Sequence, residues 1–186
     1  MENTYQKLEL LNGDVVKLTL NFARLLKIKN DNVVLYTKLM KVLQEGASDL
    51  IEDCLTVLYV GYLCANLQKN TLSESEFIEL IPFDLEKINE VAGNLVTGKK
   101  IAFREEFKKA TRRRKNKKTK VKTPKIILED IEDYYTYYVL ILGMSEELFW
   151  NVDLSFLISV LYNKLAYDEF ISYTKELEYE NMYKNK

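Results

Sequence analysis

The sequence predicts a mainly α-helical protein with three parts: an N-terminal β-hairpin plus helical domain, a basic flexible linker, and a small C-terminal three-helix bundle. Three observations lead there. Two prolines and six glycines in 186 residues leave long stretches free of helix breakers. Apolar residues recur at helical spacing through most of the chain, and only two short runs around Asn12-Gly13 alternate. Between these regions, Lys108 to Lys125 holds eleven Lys/Arg and no Asp or Glu. At 47% hydrophobic and 30% charged, the chain can bury a core.

The first part, 1–107, opens with Lys7–Leu11 and Val15–Leu20 on either side of Asn12-Gly13. Asn-Gly is a strong hairpin signal because both residues tolerate positive φ. A lone hairpin is marginal, so it must lie on helices. Asn21 caps the first of them, Phe22 to Lys29. Asp31 or Asn32 opens the second, to about Gln44, with Val34, Leu35, Leu39, Val42 and Leu43 inward and Gly46 at its end. Ser48 or Asp49 opens the third, to about Leu67. It is apolar on most of its circumference from Leu50 to Cys64, which marks the centre of a domain. Tyr59 and Tyr62 flank it, with hydroxyls at its edge. Ser73-Glu-Ser-Glu76 is a capping box for a fourth helix, stopped by Pro82. Asp84 caps a fifth, ended by Gly98. Glu74, Glu76 and Glu79 read as a solvated helix face rather than an acid/base pair.

The middle part, 108–125, carries +11, whereas 1–107 carries −4 and 126–186 carries −8. With Ala110 and Val121 as its only aliphatic residues, it cannot offset its ordering entropy and should be a mobile tether. Its eighteen residues would span about 21–25 Å as a random coil. Arg112, Arg113, Arg114, Lys115, Lys117 and Lys118 are its candidate contacts for an acidic partner. A nucleic-acid adaptor is the alternative function. It is disfavoured because no aromatic interleaves the run to stack on bases.

The third part, 126–186, holds nine of the thirteen tyrosines and the single tryptophan. Leu128 to Leu142 reads as one helix, with Ile127, Ile131, Tyr134, Tyr135, Tyr138 and Ile141 or Leu142 on one face and Gly143 at its C-terminus. Ser145 caps a short helix that presents Leu148, Phe149 and Trp150. Asp153 caps the last, with Leu157, Leu161, Leu165 and Phe170 inward. So small a bundle cannot hide all its aromatics. Tyr134, Tyr138, Met144, Phe149 and Trp150 are therefore the candidate partner surface. In the first part, the groove beside the Leu50–Cys64 helix is the candidate site for an apolar helix.

The chain has no histidine, and it shows no paired-carboxylate, Gly-rich phosphate or metal-ligand motif. It is expected to be no enzyme and to need no cofactor or metal. Cys54 and Cys64 lie ten apart, about 15 Å along one helix, too far for a bridge, and read as small core residues of a reduced protein. The first residues, MENTYQKLEL, lack the apolar core of a signal peptide, and the apolar run Leu55–Cys64 is too short to span a bilayer. No membrane partner is expected.

Three stretches of the first part, Asn12–Leu20, Leu58–Asn66 and Leu72–Pro82, resemble the first half of tail assembly chaperones of long-tailed phages of Gram-positive bacteria. Leu128–Tyr135 and Leu142–Trp150 resemble the second half, which is often made only as a readthrough fusion by programmed frameshift. The resemblance implies a non-enzymatic protein of the host bacterial cytoplasm, absent from the mature virion. Its first part would coat the tape measure protein and its third would recruit tail tube subunits. Coating a long partner also implies self-association into rings or spirals.

Overall fold

The computed structural model describes residues 5–45, 51–67, 71–97 and 127–184. The chain is mainly helical and begins with an antiparallel hairpin, as the sequence predicts. Strands β1 (Gln6–Glu9) and β2 (Val15–Leu18) pair with Leu8 opposite Val16. Leu8 and Leu18 are buried while Lys7, Glu9 and Lys17 face water, so one face of the pleat lies on the helices. The turn differs from the one Asn-Gly suggests. Only Gly13 has positive φ, at +84°. Gly13 N donates to the Leu10 carbonyl at 2.9 Å and Leu10 N to the Asp14 carbonyl at 2.8 Å. This is a three-residue loop, a type I turn closed by a glycine bulge. Asn12 instead contributes its side chain, which accepts from Asp14 N at 3.1 Å.

Helices α1 (Phe22–Asp31), α2 (Val33–Glu45), α3 (Ile51–Ala65), α4 (Glu74–Leu80) and α5 (Leu85–Val96) follow. Asn21, Ser73 and Asp84 cap α1, α4 and α5, and Ser73 and Glu76 form the reciprocal box. Asn32 both ends α1 and accepts from Leu35 N at 3.0 Å to start α2. Val34 is 65% exposed rather than inward, and Tyr36 and Met40 are buried in its stead. Gly46, Ser48, Asp49 and Gly98, expected at helix ends, lie outside the described residues, as do 108–125.

Helix α3 is the centre of its unit, packed by α1, α2, α5 and β2. Cys54, Val57, Leu58, Val60 and Cys64 are all buried on it. The Tyr59 hydroxyl donates to the Leu72 carbonyl and the Tyr62 hydroxyl accepts from Leu72 N, each at 3.2 Å, which ties the chain before α4 to α3. Gly61 lets β2 approach. Its carbonyl accepts from Thr19 N at 3.1 Å, and a Cβ there would stand 3.1 Å from Leu95 Cδ1 and 3.6 Å from Leu18 Cβ. Gly61→Val is expected to destabilise by about 1–3 kcal/mol through overpacking, measured by urea denaturation; an unchanged midpoint would refute this close fit.

After residue 126 come α6 (Ile131–Tyr135), continued by a π-helical turn over Thr136–Ile141, then α7 (Glu146–Asn151) and α8 (Leu154–Lys184). The single helix expected over 128–142 is thus interrupted: Leu142 N reaches back to the Tyr137 carbonyl at 3.0 Å. The wider turn shifts the helical phase. Ile141, one of the two residues expected at the end of the inner face, is 66% exposed and the other, Leu142, is half-buried, while Tyr134 and Tyr138 stay buried. Ile127, expected inward, is also exposed.

The described residues fall into two compact units. One contains 5–97 and 127–158, the other 159–184. Residues 127–158 belong to the same unit as 5–97, where they meet Phe22 on α1 and hydrogen-bond with Tyr36 on α2. In the second unit, the stretch of α8 from 159 onward carries a Lys164–Asp168 ion pair at 2.9 Å. Leu165 and Phe170, expected inward, are 43% and 37% exposed. No described helix is long and apolar enough to cross a membrane.

Candidate interaction site

The most elaborate side-chain chemistry in the first unit lies where α6 and α7 meet α1 and α2. Helix α6 begins at Asp130, whose carboxylate accepts from Ile131 N at 2.7 Å, while Asp133 accepts from Asp130 N at 3.2 Å. An acidic cap is favoured there by the exposed amides and dipole of the first turn. The same Asp130 carboxylate takes two bonds from Lys29 Nζ, at 2.9 and 2.8 Å, and one from the Tyr36 hydroxyl. Lys29 also donates to Glu132 at 3.0 Å and sits 5.5 Å from the Tyr36 ring centre. One carboxylate thus caps its own helix and bonds two others.

The electrostatics follow. Partial burial alone would raise the Asp130 carboxyl. The bonds from Lys29, Tyr36 and Ile131 N outweigh it and hold the group at about 2. The hydrogen bond to Asp130 pushes the Lys29 ammonium up, burial opposes it, and Glu132 adds to the rise. Burial, then the bond to Asp130, raises the Tyr36 phenol, which stays protonated and donating.

Beside this polar cluster lies an aromatic one. Phe22, wholly buried at the start of α1, stacks on Phe149 with ring centres 4.5 Å apart and meets Tyr134 at 5.1 Å. Tyr138 lies 6.3 Å from Tyr134, and Trp150 4.8 Å from Phe149. Tyr135 packs edge-on against Phe149 at 5.5 Å, and its hydroxyl donates to Glu146 at 2.8 Å. Two further bonds close the attachment: Leu154 N donates to the Leu20 carbonyl at 2.7 Å, and the Thr19 hydroxyl donates to Asp153.

The residues expected at a partner surface are therefore distributed differently. Tyr134, Tyr138 and Phe149 are buried in this cluster, because Phe22 supplies the apolar surface they need. Met144 and Trp150 are half-buried at its edge. Arg112, Arg113, Arg114, Lys115, Lys117 and Lys118 lie outside the described residues. Beside α3 there is a groove of about 540 Å³, between α2 and α4, but its lining is mostly charged: Lys38, Lys41, Glu45, Glu52, Asp53 and Glu74 accompany Val42, Leu55 and Ile78. Among the described residues, no group of three or more His, Cys, Asp or Glu is placed to hold a metal ion.

No family model, curated protein or solved structure matches this chain. The Lys29–Tyr36–Asp130–Glu132 cluster was not among the residues singled out from sequence. Its capping half was readable, since acidic residues gather just before an apolar helix. Its other half was not, because Lys29 and Asp130 are about a hundred positions apart.

Both cysteines are buried, and burial pushes the Cys64 thiol up to about 12, with Arg24 opposing. The folded chain is expected to react with a thiol-directed reagent at least about tenfold more slowly than the denatured chain. Labelling at equal rates would contradict this burial.

Proposed function

We propose that the chain is a non-enzymatic tail assembly chaperone of a long-tailed phage, which binds the tape measure protein and recruits tail tube subunits in the host cytoplasm. The observation that carries the binding role is the apolar load on the second unit's helix. Tyr162, Tyr167, Tyr179, Met182 and Tyr183 are 46%, 64%, 61%, 58% and 77% exposed there. Exposed aromatics are typical anchors of protein interfaces. The likeness of Asn12–Leu20, Leu58–Asn66, Leu72–Pro82, Leu128–Tyr135 and Leu142–Trp150 to such chaperones supplies the identity of the partners. Trp150 and Met144, half-exposed, remain available to the tube subunit, and the α2–α3–α4 groove to the tape measure protein.

The test is co-expression of the full chain with a tape measure protein and with a tail tube protein, followed by affinity capture. Retention of both is expected. Tyr167→Ser with Tyr183→Ser is expected to weaken retention of one partner at least about tenfold without moving the melting temperature. Retention of neither partner, with elution of the chain alongside nucleic acid, would replace this reading with an adaptor acting through 108–125.

A further inference from the structure

Helix α1 carries a basic corner set apart from the Lys29 cluster. Arg24 and Lys27 lie one turn apart on it, and Ala23 and Arg24 line both of two adjoining cavities. The first cavity, of about 350 Å³, lies at the C-terminal end of α3 and includes Lys27, Asn66 and Leu67. The second, of about 560 Å³, lies against α7 and includes Asn21, Glu147 and Leu148. Both volumes fall in the range of small-ligand sites, about 300–1,000 Å³.

The Arg24 side chain is fixed by neutral groups. Its Nη1 donates to the Cys64 carbonyl at 2.6 Å and its Nη2 to the Tyr5 hydroxyl at 3.4 Å. The guanidinium also sits 5.9 Å from the centre of the Tyr5 ring, which Lys17 Nζ approaches to 5.3 Å. Among the described residues, neither Arg24 nor Lys27 has an ion-pair partner, whereas Lys29 and Lys164 do. No Asp or Glu lines the first cavity. A guanidinium has more donors than these two bonds use, so Arg24 can still bind an oxyanion without reorganising. The surroundings favour a single negative charge. The C-terminal end of the α3 dipole borders the first cavity, and Glu147 lines the second, so a dianion or polyanion is repelled. Leu67 and Leu148 offer apolar contact beside the charge.

We propose that the two cavities bind a peptide of a partner protein through one carboxylate, held by Arg24 and Lys27 in the first cavity, while an apolar side chain next to it reaches Leu148 in the second. The site stands whether or not the chain is a tail assembly chaperone. Its chemistry is that of a carboxylate, which a peptide can supply from an acidic side chain or from its own C-terminus.

The experiment titrates the full-length, isotope-labelled chain by NMR with three short peptides of leucine and alanine. One carries a central glutamate and is blocked at both ends. The second carries glutamine in its place and is also blocked. The third carries glutamine and a free C-terminal carboxylate. The glutamate peptide is expected to shift the Arg24 Nε–H and the Asn66 amide signals, with a Kd of about 0.1–1 mM. The blocked glutamine peptide is expected to bind at least about tenfold more weakly, as the loss of a charge-assisted bond implies. Binding by the third peptide at the same signals would support the site and assign it to chain termini. Lys27→Gln, at an exposed side chain, is expected to weaken the glutamate peptide several-fold and to steepen no unfolding transition, which keeps the test valid should Arg24→Gln fail to fold. Equal binding of the two blocked peptides would overturn the proposal, as would an unchanged affinity in Lys27→Gln or shifts confined to other surfaces. Inorganic phosphate that binds the same signals more tightly than the glutamate peptide would also overturn it, because the site would then be one for phosphate groups.

Discussion

Phe149→Ala is expected to destabilise the unit formed by 5–97 and 127–158 by about 3–5 kcal/mol, a large fraction of the roughly 5–15 kcal/mol that holds a domain folded. The reason is where the ring sits. Phe149 is wholly buried, stacked on Phe22, edged by Tyr135 and in contact with Trp150. Truncation leaves a cavity between α1 and α7 that these rigid rings cannot collapse to fill. The check is urea denaturation followed by two probes: fluorescence of Trp150, which reports locally, and amide exchange on α3. Both are expected to shift together. If Trp150 fluorescence moves while α3 keeps its wild-type protection, then 127–158 folds as a separate piece and the shared core described above is wrong. A cycle with Phe22→Ala is expected to return a coupling of about 0.5–1.5 kcal/mol, as for aromatic pairs in contact.

Asp130→Ala ranks second, with an expected loss of about 2 kcal/mol at neutral pH. The side chain is 43% exposed, so solvent screens the ion pair to Lys29, and most of the loss comes from the missing helix cap and the orphaned Tyr36 hydroxyl. Asp130→Asn keeps a capping oxygen and should lose less, and Glu132→Gln, at a carboxylate 70% exposed, should lose least. The pH dependence has a definite sign. Asp130 titrates at about 2 when folded, below the usual carboxyl range near 3.8, so the folded state holds its proton less tightly than the unfolded chain. Its stabilisation is fully present above about pH 4 and fades as the pH falls to about 2. The gap between wild type and Asp130→Asn should therefore narrow over that interval. On the alkaline side the Lys29 ammonium is raised, so its contribution is complete below its ordinary value near 10.5 and fades as pH climbs through the higher folded value. A gap between wild type and Asp130→Asn that stays constant from pH 6 to pH 2 would show that the carboxylate charge plays no part.

These two effects come from parts of the chain that local patterning reads unequally. The caps at Asn21, Ser73, Asp84 and Ser145 were legible because each is satisfied within its own turn. The buried character of α3 was legible because its whole circumference is apolar. The π-helical turn was not: its single extra residue leaves the composition of 128–142 untouched and alters only the phase, which left Ile141 exposed. Nor were the roles of Tyr134, Tyr138 and Phe149, since an aromatic-rich helix looks the same whether its rings face water, a partner or another part of the chain.

By itself, then, the sequence determined the helical class, the hairpin, most helix starts and the charge partition, because each depends on residues within one turn or one run. Only the tertiary structure decided that 127–158 joins 5–97 in one unit. That outcome depends on Phe22, Lys29 and Tyr36 meeting Phe149, Asp130 and Tyr134 across about a hundred positions. Such pairing is fixed by complementary surfaces after the helices form, and no local period in the chain encodes it.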